Sequence, residues 1–127
     1  MISVLNFMYV PGKSLEVVAF EVKKSWEEAL EGVYESLAFT VFSHRAFLVV
    51  RNELGTEPLM DKVRNECGRN GVGLIVYSVE DDQKTAKDID VWQDSAVFTP
   101  AANQINLFIE QQVKSAEDKK KILAWIK

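Results

Sequence analysis

The triplet Glu21-Val22-Lys23 sets a carboxylate and an ammonium two residues apart in a run with strand character. Side chains alternate across a strand, so Glu21 and Lys23 share one face and Val22 takes the other. A carboxylate is a hard oxygen ligand suited to a divalent cation, and a lysine beside such a cation can offset charge that develops next to it. The ordinary reading is a strand that ends in charge at the sheet rim. Spacing alone is weak evidence, because Asp82-Gln83-Lys84, Glu117-Asp118-Lys119 and Asp118-Lys119-Lys120 repeat it. Those copies fall in a polar loop and at the start of an amphipathic helix, where charge is expected. Glu21 and Lys23 differ in finishing the second strand of a hairpin and leading straight into a capped helix.

Other residues invite chemistry less strongly. His44 is the only histidine, a candidate general base without a recognisable nucleophile or carboxylate partner in sequence. Its place at a helix end also suits a positive group against the helix dipole. Cys67 has no CxxC companion and no histidine at metal spacing, which disfavours zinc and reads as a buried structural thiol. The run "GRNGVG" precedes a strand, whereas a phosphate loop follows a strand and opens a helix, so a nucleotide site is rejected. Glu28, Glu31 and Glu35 share a helical face that reads as a solvated acidic surface, from which one carboxylate could reach the Glu21 strand. Glu16, an odd number of residues from Glu21, belongs to the opposite face.

The elements that must position these groups can be read along 127 residues, a length that fits one domain. Residues 2–10 and 15–23 are β-rich runs around "PGKS", a hairpin turn, and are apolar on both faces, as strands covered on both sides would be. Ser25 caps a helix with Glu28 as the second half of a capping box, and Trp26, Leu30, Tyr34, Leu37 and Val41 form its inner stripe, ending near His44. A buried strand at 45–50 follows. A second helix has Thr56 as N-cap, Pro58 in its first turn, Leu59, Val63 and Cys67 inward, and Gly71 as its stop. A strand at 72–79 completes a βαβ crossover, so 45–50 and 72–79 should lie parallel. After an exposed loop at 80–87, "DIDVWQDSAVF" holds a short edge strand. Thr99-Pro100 opens a helix with Ile105, Phe108, Ile109 and Val113 inward, and Ser115 caps a last one with Ile122, Leu123 and Ile126 inward. The expected fold is a mixed α/β sheet with helices on both faces.

Bulk properties narrow the function classes. At 47% hydrophobic and 27% charged the chain has a soluble, globular composition. A net charge of -4 argues against a broadly basic nucleic-acid platform while leaving room for a local basic strip. One cysteine precludes an internal disulfide and fits a cytoplasmic setting. The N-terminal run "MISVLNFMYVPGK" lacks a basic leader and is too short to span a bilayer, and no other segment approaches membrane length.

The order of elements, with Glu-x-Lys ending the second hairpin strand, resembles the PD-(D/E)XK nuclease superfamily, the restriction-endonuclease-like fold. "VVAFEVKKSWEEALEGVYESLAFTVFSHRAFLVV", "RNECGRNGVGLIVYSV" and "INLFIEQQVKSAEDKKKILAWIK" look like a group of prokaryotic nuclease-like domains that often follow a winged helix. The likeness runs over nearly all of 1–127. It implies hydrolysis of nucleic-acid phosphodiesters, DNA first, with Mg²⁺ or Mn²⁺ as cofactor. Glu21 and Lys23 would be catalytic, Glu21 and the Val22 backbone carbonyl metal ligands, and Glu31, Glu35 and His44 secondary candidates. Of the basic residues, which also include Arg51, Lys62, Arg64 and Arg69, Lys24 and Arg45 are the expected nucleic-acid contacts.

The sequence departs from that pattern in one respect. The family carries an Asp on the preceding strand, facing the Glu-x-Lys. The residues expected opposite Glu21 to Lys23 fall near Ile2, Ser3 and Val4, none of them acidic, with Asn6 the nearest polar alternative. The start reads as though it followed the family's Pro-Asp, with the family's first helix also missing. Two functions stay open: a nuclease domain truncated at its N-terminus, and a non-catalytic interaction or dimerisation module, such as a homodimer, that keeps the nuclease fold.

Overall fold

Two parallel crossovers set the architecture. The computed structural model of the chain describes residues 2–6, 13–52, 57–79, 86–112, 115–118 and 120–121. Its elements are β1 (Ile2–Asn6), β2 (Lys13–Lys23), α1 (Trp26–Phe39), β3 (Arg45–Arg51), α2 (Glu57–Asn70), β4 (Gly73–Val79), β5 (Ala86–Gln93) and α3 (Ala102–Gln112). The five strands form one mixed sheet in sequence order. β1 and β5 are antiparallel to their neighbours, while β2, β3 and β4 are mutually parallel. The expected crossover between β3 and β4 is present, and β2 to β3 is a second one through α1. Right-handed crossovers stepping the same way along a sheet place their helices on the same face. Both α1 and α2 accordingly pack there.

The core lies between these helices and the sheet. Trp26, Ala29 and Val33 of α1 meet Val63 and Cys67 of α2 over Leu48, Val50, Leu74 and Val76 of the strands, with Val72 at the turn into β4. The inner face of α1 is rotated from the expected one: Ala29, Gly32, Val33 and Ser36 are buried with Trp26, whereas Tyr34 is 53% and Val41 54% exposed. Proximity explains the difference. A helix that sits close to a sheet needs small residues on its facing line, and hydrophobicity ranks Gly and Ser below Tyr. Ser36 is satisfied there by donating to the Gly32 carbonyl at 2.8 Å. The helix also stops at Phe39, short of His44, where Thr40 and Ser43 hydroxyls bond the last carbonyls.

Punctuation by glycine is as expected at one position and unforeseen at another. Gly71 ends the run after α2 at φ 72°, a left-handed conformation that favours glycine, and Val72 N–H donates to the Cys67 carbonyl. Gly73, next door, gives space: the Phe47 ring lies against its missing side chain. The edge strand proves longer than read, beginning at Ala86. A bulge between Leu74 and Ile75 turns both Trp92 and Gln93 toward the helices. Trp92 stacks on Trp26 at 5.9 Å and lies under Arg64. Trp26 Nε1 is a buried donor with no partner among the described residues.

The opposite face of the sheet departs from the expectation of strands covered on both sides. Phe20 is 39%, Val22 58%, Ile89 65% and Val91 61% exposed, although all four point from β2 and β5 to that face. α3 stands only at the margin, where Phe108 stacks on Phe42 at 4.4 Å and Ile109 is buried. Its start at Ala102 follows Pro100, with Gln104 and Ile105 N–H groups donating to the Ala101 carbonyl. Ser115 does accept from Asp118 N–H, as an N-cap should. The expected turn at Pro11-Gly12, the Thr56 cap, the loop at 80–85 and the inward residues Val113, Ile122, Leu123 and Ile126 lie outside the described residues.

Cys67 offers a direct check on this packing. Burial, then the Glu66 carboxylate, pushes its thiol up to about 12. The folded chain thus keeps this proton to higher pH than the unfolded chain. Its contribution to stability is complete below the free-thiol range near about 8.5 and is lost as pH rises toward 12, by up to about 1.4 kcal/mol per pH unit. Iodoacetamide at pH 8 should label Cys67 only at the rate of global unfolding. Labelling at the rate of a free thiol would mean that α2 opens locally.

Candidate functional site

β2 supplies Glu21 and Lys23 to the helical face, and α1 supplies a third group. Because α1 returns antiparallel to β2, its middle passes over the end of that strand. Gly32 has no side chain there, and the Lys23 stem lies against it: an added Cβ would meet Lys23 Cγ at 3.0 Å and Leu48 Cδ1 at 2.6 Å. The ammonium is thereby led across the helix to Glu35, 3.2 Å away, while Glu21 stands at 3.7 Å. Lys23 and Glu21 side chains keep about a fifth of their surface exposed, and Glu35 somewhat more.

Charge in this cluster is shared unevenly. Desolvation first, then the Glu35 carboxyl, raises the Glu21 carboxyl above the ordinary carboxylate range against the pull of Lys23. Glu35 is held below it by its hydrogen bonds with Glu21 and with Lys23. The Lys23 ammonium is raised, chiefly by the hydrogen bond to Glu35. Two carboxyls this close behave as one titrating pair, with Glu35 the more readily ionised member. Glu31 acts on Lys23 only through its field and is exposed, as is Glu28. Glu35 was, with Glu31, only a secondary candidate in sequence, and the helical acids are not uniformly a solvated face. One signal did point to it: a glycine inside a helix costs about 1 kcal/mol relative to alanine, and such a residue marks a close approach.

The remaining candidates fall elsewhere. The hairpin register pairs Ile2 with Val17, Ser3 with Glu16 and Val4 with Leu15, so these residues do not face Glu21 to Lys23 as expected. β1 meets only the first half of β2, and β3 takes over from Val18 on the other side. The register differs because Asn6 pairs with Lys13, where a count back from the turn residues 11–14 would pair it with Ala19. Val22 stands on the sheet's other face, so only its backbone lies between Glu21 and Lys23. Lys24 is exposed. Arg45 is held by Glu16 at 3.0 Å and Asp94 at 3.6 Å, at the opposite end of β3 from the cluster.

His44 is also at that far end, in a structural role. Its Nδ1 accepts the Val17 N–H at 3.0 Å, and its own N–H donates to the Val17 carbonyl at 2.8 Å. The side chain thus continues the ladder where β1 and β3 change over along β2. His44→Ala should cost about 1–3 kcal/mol by leaving that N–H unpaired. A chemical-denaturation midpoint unchanged from the parent would refute this role. Ser95, unmarked by any sequence pattern, stitches the same region: its Oγ accepts from Ala46 N–H at 3.1 Å and donates to the Ala96 carbonyl at 2.7 Å.

Among the described residues no group of three or more Asp, Glu, His or Cys gathers as a metal cluster. The donor set at β2 and α1 is two carboxylates with an ammonium between them. That set suits a hydrated magnesium or manganese ion, which binds through one or two carboxylates and keeps several waters. It suits zinc poorly, since neither imidazole nor thiolate is at hand. No family model matches the chain, and neither a curated protein nor a solved structure matches it.

Proposed function

We propose that this chain is a metal-dependent phosphodiesterase domain of PD-(D/E)XK type, with Glu21 and Glu35 as its cation ligands and Lys23 as its catalytic ammonium. The observation that carries the reading is the meeting of Glu21 and Glu35 around Lys23, which supplies from α1 the second carboxylate that the hairpin lacks. A bound divalent ion would polarise a phosphate oxygen and help ionise a water. The chain's own part is to hold two anionic ligands on a strand and a helix packed together, and to set an ammonium beside them. Lys23 would orient the attacking water and offset charge developing on the phosphate. Lys24, exposed and next to Lys23 in sequence, is a candidate basic contact for a nucleic-acid backbone.

The experiment is a Mn²⁺ titration of the parent chain, followed by calorimetry or paramagnetic line broadening. Weak binding should occur, and Glu21→Ala and Glu35→Ala should each abolish it. Unchanged affinity in Glu21→Ala removes that residue from the site. A second reading, a non-catalytic interaction module, is favoured by the ion pairs that already satisfy Lys23 and by the bare apolar sheet face. It requires that the parent chain bind no Mn²⁺ and cleave neither single- nor double-stranded DNA.

A further inference from the structure

The uncovered face of the sheet runs across four strands. Phe20 and Val22 of β2, Val49 of β3, Ile75 of β4, and Ile89 and Val91 of β5 share it. Its outer residues, on β2 and β5, keep between 39% and 65% of their surface exposed. An apolar strip this continuous on one side of a sheet marks an interaction surface.

The charges at its two ends point to what covers it. By alternation from Phe47, Arg45 and Arg51 of β3 stand on this face, one at each end. Arg45 is bracketed by Glu16 at 3.0 Å and Asp94 at 3.6 Å, which leaves that end with an excess of negative charge. Arg51, at the other end, is exposed and pairs with no carboxylate among the described residues. The face therefore has an acidic end and a basic end with apolar strands between them. Its complement is the same face turned end for end. A two-fold axis running across the strands makes that match, setting each strand antiparallel over its own counterpart. Arg51 of one copy then meets the Glu16 and Asp94 end of the other, twice in the dimer. Association through the outer edge of β5 is opposed instead. A two-fold pairing centred on Asp88, Ile89 or Asp90 sets aspartate opposite aspartate, and both aspartates are exposed.

Size sets the strength to expect. Four strands about 4.8 Å apart and about 23 Å long make a face of about 400 Å² in projection. Two of them give about 800 Å² before side-chain relief and the charged ends add to it, which suits a weak, concentration-dependent dimer.

We infer that two copies of this chain associate face to face through the open side of the sheet, with Arg51 of each at the Glu16–Asp94 end of the other. The inference is independent of any metal chemistry at Glu21, which lies on the helical face. It is tested on the full chain by sedimentation equilibrium from about 1 µM to about 1 mM, without metal. The mass should rise from 14.4 kDa toward twice that value. Val22 and Val91 are exposed in the single copy, so replacing them should leave the fold intact. Val22→Lys combined with Val91→Lys should weaken the dimer at least tenfold while Cys67 stays protected from iodoacetamide. Arg51→Glu should weaken it severalfold. A mass that stays at 14.4 kDa throughout overturns the inference and leaves the face to another partner or another part of the chain. A dimer that the paired lysines do not weaken overturns it too, because its contact lies elsewhere. Unchanged dimerisation of Arg51→Glu overturns the end-for-end arrangement.

Discussion

Lys23→Met is expected to separate cation binding from chemistry at the cluster. In the parent chain the ammonium holds Glu35 at 3.2 Å and Glu21 at 3.7 Å, and so competes with any cation for the same oxygens. Methionine keeps the stem that lies on Gly32 and removes the charge. Mn²⁺ affinity should therefore hold or rise, since two carboxylates that repel each other gain most from a cation. Phosphodiester cleavage should fall by about 10²–10³-fold, the usual cost of removing a group that stabilises developing charge. Opposite movements of affinity and turnover would distinguish a catalytic ammonium from a structural one. If affinity falls together with turnover, Lys23 serves to hold the carboxylates in place and nothing more. Circular dichroism of the variant controls for the loss of the two ion pairs.

Much of the fold was legible because periodicity and punctuation agreed. Short continuous apolar runs marked β2, β3 and β4, Ser25 and Gly71 marked helix ends, and the parallel pairing of β3 with β4 followed from a strand-helix-strand order. Where side-chain size rather than polarity decided, the sequence was a poorer guide. The inner line of α1 is drawn by Ala29, Gly32 and Ser36, which hydrophobicity does not single out. The site was half legible for the same reason. Glu21 and Lys23 share a face by a rule local to β2, whereas Glu35 joins them only through the way α1 folds back, with Gly32 permitting contact. His44 shows the reverse case. Its type suggested chemistry, and its surroundings use it as a backbone acceptor for Val17.

Gly73→Ala should be among the most destabilising single substitutions in the chain. A methyl group at this position would overlap Phe47 Cδ1 and lie 2.9 Å from the Ser95 backbone nitrogen, so relief requires movement of a ring on one side and of main chain on the other. Neither is free to move. Phe47 is stacked on Phe20 at 5.6 Å and is nearly fully buried. Ser95 is tied to Ala46 and to Ala96 by its hydroxyl, and Ala96 N–H donates to the Gly71 carbonyl at 2.9 Å. Overpacking of a well-packed site costs about 1–3 kcal/mol, and the backbone contact places this one at the upper end, about 3 kcal/mol. The second variant separates the two obstacles. Phe47→Leu alone loses aromatic contact and should cost about 1–2 kcal/mol, but combined with Gly73→Ala it gives the methyl room on the ring side. The double variant should then be more stable than the sum of the single losses predicts, by about 1 kcal/mol in urea denaturation. Strict additivity would show that the strain falls on Ser95 instead, and that the turn from β5 toward α3, not the Phe47 ring, fixes glycine at this position.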